Sequence, residues 1–209
     1  MDKPISAAIL SGGAAKRLGG ITKSNIVMGG RTIISRILDT FSGLFGEIMI
    51  VTNSSSEFSE ISGVKLVPDI FRGVGPLGGI HAALTASSSD AVFVVAGDMP
   101  LISRDLVLQQ LELFGTGNAD AVIPRSGGYI EPLHSIYSKK VLQSLDQYLR
   151  QNKSNAVWEF IRTLDAQYFE TGYEAARANP FMSVNSQEDA SLIEKILTGG
   201  CGNTVVKKA

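Results

Sequence analysis

Short segments with no polar face constrain this chain most. Residues 91–95, AVFVV, carry only β-branched, aromatic and small apolar side chains, and residues 5–10, ISAAIL, and 47–53, EIMIVTN, are nearly as apolar. A strand of this kind must be covered on both sides, as happens when a parallel sheet lies between layers of helices. Amphipathic stretches fall between these runs. Residues 31–42, RTIISRILDTFS, place Ile33, Ile34, Ile37, Leu38 and Phe41 on one helical face. Ser103 can cap a helix carrying Leu106, Val107, Leu111 and Phe114, and residues 139–151, KKVLQSLDQYLRQ, read as another amphipathic helix.

Further strands are expected at 64–69, 119–124 and 180–185, with a weaker one in EPLHSIYS, and a helix from about Gly78. Ser154 can open a helix whose apolar stripe includes Val157, Trp158, Phe160, Ile161 and Leu164, which places Trp158 in the core. Ser186 and Asp189 have the spacing of a capping box, with Asp in place of Glu, ahead of a last helix that stops at Gly199–Gly200. Strands alternating with helices predict a layered α/β domain over 1–198 with a largely parallel sheet, followed by a tail at 199–209.

Composition excludes several classes. The formal net charge is −1, so no bulk basic surface points to nucleic acid. One cysteine, Cys201, supplies neither an internal disulfide nor a Cys-rich zinc site. The apolar runs are too short to span a bilayer, and MDKPIS has no charged segment followed by a long apolar one, so a soluble cytoplasmic protein is expected.

In a parallel α/β sheet, ligands bind beyond the C-terminal ends of the strands. The loops after Leu10, Asn53, Pro68 and Ala96 therefore matter most. The first holds glycines at 12, 13, 19 and 20, with Arg17 and Lys23 beside them. Such a loop can bring backbone N–H groups against phosphate oxygens, with Arg17 as a fork and Lys23 as a point charge. A plain strand-to-helix turn with two surface cations has the same composition. The chain has no Gly-Lys pair, hence no Walker A loop, and no G-x-G-x-x-G follows the first strand.

Asp98 stands just past the apolar strand, in GDMPLIS. A lone carboxylate there suits Mg²⁺, which takes one or two protein carboxylates and fills its shell with water and phosphate oxygens. Capping of the helix near Ser103 is the alternative. Asp69 follows another strand, before a glycine-rich turn whose helix could face an anion; Asp after Pro is also ordinary turn chemistry. His81 and His134 lack a matching nucleophile and read as structural.

Taken together, LSGGAAKRLGGITK, VPDIFRGVGPLGGIHAAL, GDMPLIS, EPLHSIYSKKVLQSL and FMSVNSQEDAS resemble, in order along the chain to about residue 195, the segments of the molybdenum cofactor guanylyltransferase family. The resemblance implies a three-layer Rossmann-like nucleotidyltransferase fold and transfer of GMP from GTP to molybdopterin, with release of diphosphate. It implies that Leu10, Ser11, Gly12 and Gly13 hold the nucleotide through their backbone, that Arg17 and Lys23 engage its phosphates, and that Asn53 and Asp69 lie around the nucleoside. Asp98 would bind Mg²⁺ and Asn185 would face the pterin. Other proteins of cofactor biosynthesis or molybdoenzyme maturation would be partners. Thr22 stands where the family often has Asp, and Ser183 where it has the first Asn of the late segment. Gly12 stands where relatives that use CTP tend to have Ala; the missing methyl leaves room for a purine and favours GTP. A same-fold enzyme using CTP or another phosphorylated acceptor, or a non-catalytic GTP-binding delivery protein, is the alternative.

Overall fold

The structure is a computed structural model that describes residues 4–12, 22–151, 154–173 and 179–199. Ten strands and six α-helices are described, in the order β1 (Ile5–Leu10), β2 (Val27–Met28), β3 (Arg31–Thr32), α1 (Ile33–Phe41), β4 (Ile48–Val51), β5 (Lys65–Val67), α2 (Pro76–Ala86), β6 (Ala91–Ala96), α3 (Arg104–Thr116), β7 (Ala121–Ser126), β8 (Tyr129–Ile130), β9 (His134–Ser138), α4 (Leu142–Arg150), α5 (Val157–Ile161), β10 (Ala166–Glu170) and α6 (Gln187–Leu197).

The main sheet is eight-stranded, in the order β10-β7-β9-β6-β1-β4-β5 with β8 paired to β7, and β2 and β3 form a separate hairpin. β5, β4, β1 and β6 run parallel, and β10 runs parallel to β7. β9 is antiparallel to both β6 and β7, so the largely parallel sheet contains one reversed strand at its heart.

The apolar strands are covered on both faces as their composition requires. Every residue of β6 is buried. Phe93 and Val95 pack into a core with Ile33, Ile37, Phe41, Val107, Phe114 and Ile193 from α1, α3 and α6. Val92 and Val94 pack on the other side with Leu77, Ile80, Leu145 and Phe160 from α2, α4 and α5. The period-2 alternation of one strand thus feeds two layers.

Several helix ends follow the sequence. Thr32 accepts from Ser35 N at 3.2 Å to start α1, and Ser103 accepts from Leu106 N at 3.4 Å to start α3. Ser186 and Asp189 form the full capping box of α6.

Other expectations are corrected. α2 begins at Pro76, not Gly78, because proline's fixed φ and missing N–H suit the first turn. Gly78 and Gly79 serve packing inside it: a Cβ on Gly78 would lie 2.6 Å from the Phe71 carbonyl oxygen. Residues 180–185 form no strand; they run as irregular chain tied to the sheet rim. α5 ends at Ile161 and leaves Leu164 outside it. Trp158 is 49% exposed, with the Arg162 guanidinium 5.9 Å from its ring centroid, so it is not a core residue. Of the expected tail at 199–209, only Gly199 belongs to the described residues. No helix among the described residues is long and apolar enough to cross a membrane.

Candidate active site

β1 marks the point where the sheet changes direction: the chain passes from β1 outward to β4 and β5, then returns to place β6 on the other side of β1. Crevices form at such points, beyond the strand ends. Here Ser11 N donates to Val51 O at 2.9 Å, and Thr52 N to Val67 O at 2.8 Å. These bonds carry the ladder past the strands and align the loops of β1, β4 and β5 at one rim. Gly97 N donates to Leu10 O at 2.9 Å. A Cβ on Gly97 would stand 3.0 Å from that oxygen and 3.2 Å from Ser24 Cβ, so glycine lets the end of β6 close against β1.

The rim holds a cavity of about 680 Å³. Leu10, Ser11, Gly12, Lys23, Asn53, Asp69 and Asp98 all line it, so these seven residues singled out in the sequence meet in one place. Gly13 and Arg17 lie outside the described residues. The volume suits a nucleotide-sized ligand.

On the side of β4 and β5, Asn53 Nδ2 donates to Asp69 Oδ2 at 2.8 Å, and Asp69 N donates to Asn53 Oδ1 at 3.2 Å. The reciprocal pair fixes both side chains at the mouth of β4 and β5. A Cβ on Gly12 would lie 3.6 Å from Asp69 Oδ2 and 3.9 Å from Val51 O, ordinary contact distances. The protein itself would therefore accept a methyl group at position 12; the space it leaves belongs to the cavity. Gly75, at the N-cap of α2, has a φ of 66°, which glycine reaches without steric cost, and it too lines the cavity.

On the other side stand Lys23, Asp98 and Asn185. Lys23 opens a short 3₁₀ turn, Lys23–Asn25. Its Nζ lies 3.0 Å from Asp98 Oδ2 and 2.6 Å from Asn185 Oδ1. The Lys23 and Asp98 side chains are 16% and 21% exposed, so the pair faces solvent through the cavity yet is shielded by its walls. Asn185 is held from behind: Asp189 Oδ2 accepts from Asn185 N at 3.0 Å and from Ser186 N at 2.8 Å. Those backbone donors, Asn185 first, keep the Asp189 carboxyl below the usual range. Val184 N donates to Asp98 O at 2.9 Å, so the irregular 180–185 segment is docked on the residue that carries the site's acid.

Some cavity residues had no signal in the sequence. Ser24 shares a close hydroxyl–hydroxyl hydrogen bond with Ser11 and ties the 3₁₀ turn to β1. Glu57 accepts from Thr22 N at 3.2 Å; contacts from Thr22 hold its carboxyl below the ordinary value. It sits in SSSEFSE, where no periodicity marks a function. His81 and His134 are structural, as expected. His134 is fully buried, with its Nδ1 2.9 Å from Gln110 Oε1, and burial lowers its pKa to about 4. His81 Nε2 lies 3.3 Å from Asp146 Oδ1, and burial lowers its pKa despite that partner.

Among the described residues no cluster of three or more His, Cys, Asp or Glu could hold a metal ion alone. Asp98 is a single, partly exposed carboxylate on the cavity wall, a donor set that fits a cation completing its shell with water and substrate oxygens.

The fold and site thus define a protein with a ligand cavity at the switch point of its sheet, walled by an acid and a lysine. Residues 7–168 match the MobA-like NTP transferase domain, and the chain belongs to that family. It is 34% identical over 193 residues, 88% of this chain and 86% of the relative, to the probable molybdenum cofactor guanylyltransferase of Peptoclostridium acidaminophilum. It is 30% identical, over 88% of both chains, to the molybdenum cofactor guanylyltransferase of Syntrophotalea carbinolica. The fold is shared with the crystal structure of molybdopterin-guanine dinucleotide biosynthesis protein A from Archaeoglobus fulgidus, with a TM-score of 0.79 at 23% identity, covering 93% of this chain and 99% of that one.

Proposed function

We propose that this protein transfers GMP from GTP to molybdopterin and releases diphosphate. The observation that carries the proposal is the meeting of Lys23, Asp98 and Asn185 between a nucleoside-sized cavity and the docked 180–185 segment. Two substrates have to come together at such a junction.

In the reaction, a terminal phosphate oxygen of molybdopterin forms a bond to the α-phosphorus of GTP. The bond from that phosphorus to the bridging oxygen breaks, and diphosphate leaves with the electron pair. An ionised phosphate needs little help from a general base, in keeping with two histidines that serve the core. The obstacle is accumulated negative charge, so positioning and electrostatics do the catalysis. Asn53 and Asp69 would lie around the nucleoside, and Leu10, Ser11, Gly12 and Gly13 would hold the nucleotide through backbone contacts. Lys23 exchanges its contact with Asp98 for phosphate oxygens, and Arg17 adds a second cation. Asn185 faces the acceptor. Asp98 would hold Mg²⁺, which when bound neutralises phosphate charge.

Gly12 favours GTP over CTP, because a methyl group there would fit the protein but reduce the space for a purine. The test is incubation with GTP, Mg²⁺ and molybdopterin, scored by mass for the guanine dinucleotide. Diphosphate release that requires the acceptor supports the proposal. GTP binding without diphosphate release would instead fit a delivery protein, and a preference for CTP would overturn the choice of base.

A further inference from the structure

Glu131 has no role in the reading so far. It follows β8, and its N–H donates to Pro124 O at 3.0 Å near the C-terminal end of β7. Its carbonyl accepts from His134 N at 3.1 Å and from Ser135 Oγ at 2.7 Å. The resulting turn, 131–134, abuts the end of β6, where Ala96 N donates to Leu133 O at 2.9 Å, and Leu133 itself lines the cavity. β6 and β7 are both antiparallel to β9 and so point the same way. Glu131 therefore stands on the same rim as Asp98, on the side away from β1, β4 and β5.

Its backbone is pinned by these bonds. The side chain is half-buried, and among the described residues no hydrogen bond or ion pair reaches its oxygens. Burial alone pushes its pKa up to about 7. A half-buried carboxyl with no partner among the described residues costs stability, and such groups are found at ligand sites. Aromatic side chains line the same end of the sheet. Ser126 Oγ donates to Tyr173 O at 2.7 Å over the end of β7, Tyr173 packs edge-on against Phe181 at 6.3 Å, and Phe181 leads into the segment docked on Asp98.

We propose that the Glu131 carboxyl recognises the aminopyrimidinone edge of the acceptor. A 2-amino-4-oxopteridine presents a ring N–H and an exocyclic N–H₂ side by side, and a carboxylate accepts both. The two substrates then occupy opposite halves of the rim: the nucleoside against Asn53 and Asp69, the pterin against Glu131, and their phosphates at Lys23 and Asp98 between them. This assignment rests on the proposed molybdopterin acceptor.

The test compares wild type, Glu131→Ala and Glu131→Gln in steady-state kinetics, together with direct binding of molybdopterin followed by pterin fluorescence without GTP. Loss of charge-assisted bonds to a ligand should raise the acceptor KM and Kd by about ten- to a hundredfold in Glu131→Ala. The kcat at saturating acceptor and the KM for GTP should stay near wild type. Glu131→Gln keeps the size, removes the charge and secures a folded comparison; it should fall between the other two. An unchanged acceptor KM and Kd in both variants overturns the role of Glu131, and so does an equal rise in the KM for GTP. Wild type that forms no guanine dinucleotide overturns the acceptor itself, a separate result.

Discussion

Lys23 Nζ and Asp98 Oδ2 lie 3.0 Å apart although 75 residues separate them in the chain. Each partly neutralises the other until a substrate arrives. Under the proposed function, a triphosphate would offer the lysine a better partner and free the carboxylate for a cation, and that exchange would make the site responsive to its ligand.

Replacing Lys23 by Ala should therefore lower kcat by about a hundredfold or more while the fold survives. Diphosphate release measures the first and circular dichroism the second. Near-normal turnover would remove Lys23 from the mechanism.

Asp189 acts on the site through Asn185. Asp189→Ala removes the acceptor of two backbone N–H groups and half of the capping box. Stability should fall, as chemical denaturation measures. The KM for molybdopterin should rise more than that for GTP, because the freed residue is Asn185. Equal effects on both substrates would argue against an acceptor-side Asn185.

Gly12→Ala should leave thermal stability almost unchanged, because the new methyl meets Asp69 Oδ2 and Val51 O only at 3.6 and 3.9 Å. Nucleotide preference should shift toward CTP. Competition between the two nucleotides, read by calorimetry, decides it; an unaltered ratio would show that position 12 does not select the base.

Glu131 makes stability depend on pH. Its folded pKa of about 7 lies above the ordinary 4.5, so the fold favours the neutral acid. Below the unfolded value both states are protonated and the group contributes nothing. As pH rises from there to about 7 the unfolded chain ionises first, and the fold loses stability at about 1.4 kcal/mol per unit. Above 7 the loss is constant. Chemical denaturation across this range should show Glu131→Gln gaining on wild type by on the order of 2 kcal/mol, because the full linkage value of about 3 kcal/mol is reduced by solvent screening of a half-buried carboxyl. Parallel curves would mean that the carboxyl is better solvated than its burial indicates.

The sheet was legible because its strands are uniformly apolar, and β1, β4 and β6 fall where composition places them. The rim residues Leu10, Asn53, Asp69 and Asp98 followed, since strand direction alone puts those loops together. The hairpin strand β8 and the edge strand β10 were not read: the first is two residues long and the second alternates without a buried face. Residues 180–185 looked like a strand because Phe181 and Val184 are buried, yet one backbone bond to Asp98 O, not a ladder, holds Val184 in place. Trp158 misled for the reverse reason: it is an apolar side chain one position off the face that buries Val157, Phe160 and Ile161. Glu57 and Ser24 owe their places to contacts that no local pattern encodes.

The reversed strand β9 has a consequence for how such a molecule can change. Because it enters the sheet at the rim instead of leaving there, the turn before it is spelled by residues 131–133, far in sequence from the glycine loop. On the proposed assignment of Glu131, substitutions in that turn would retune what is modified without disturbing the donor, and the two halves of the chemistry would be free to diversify independently.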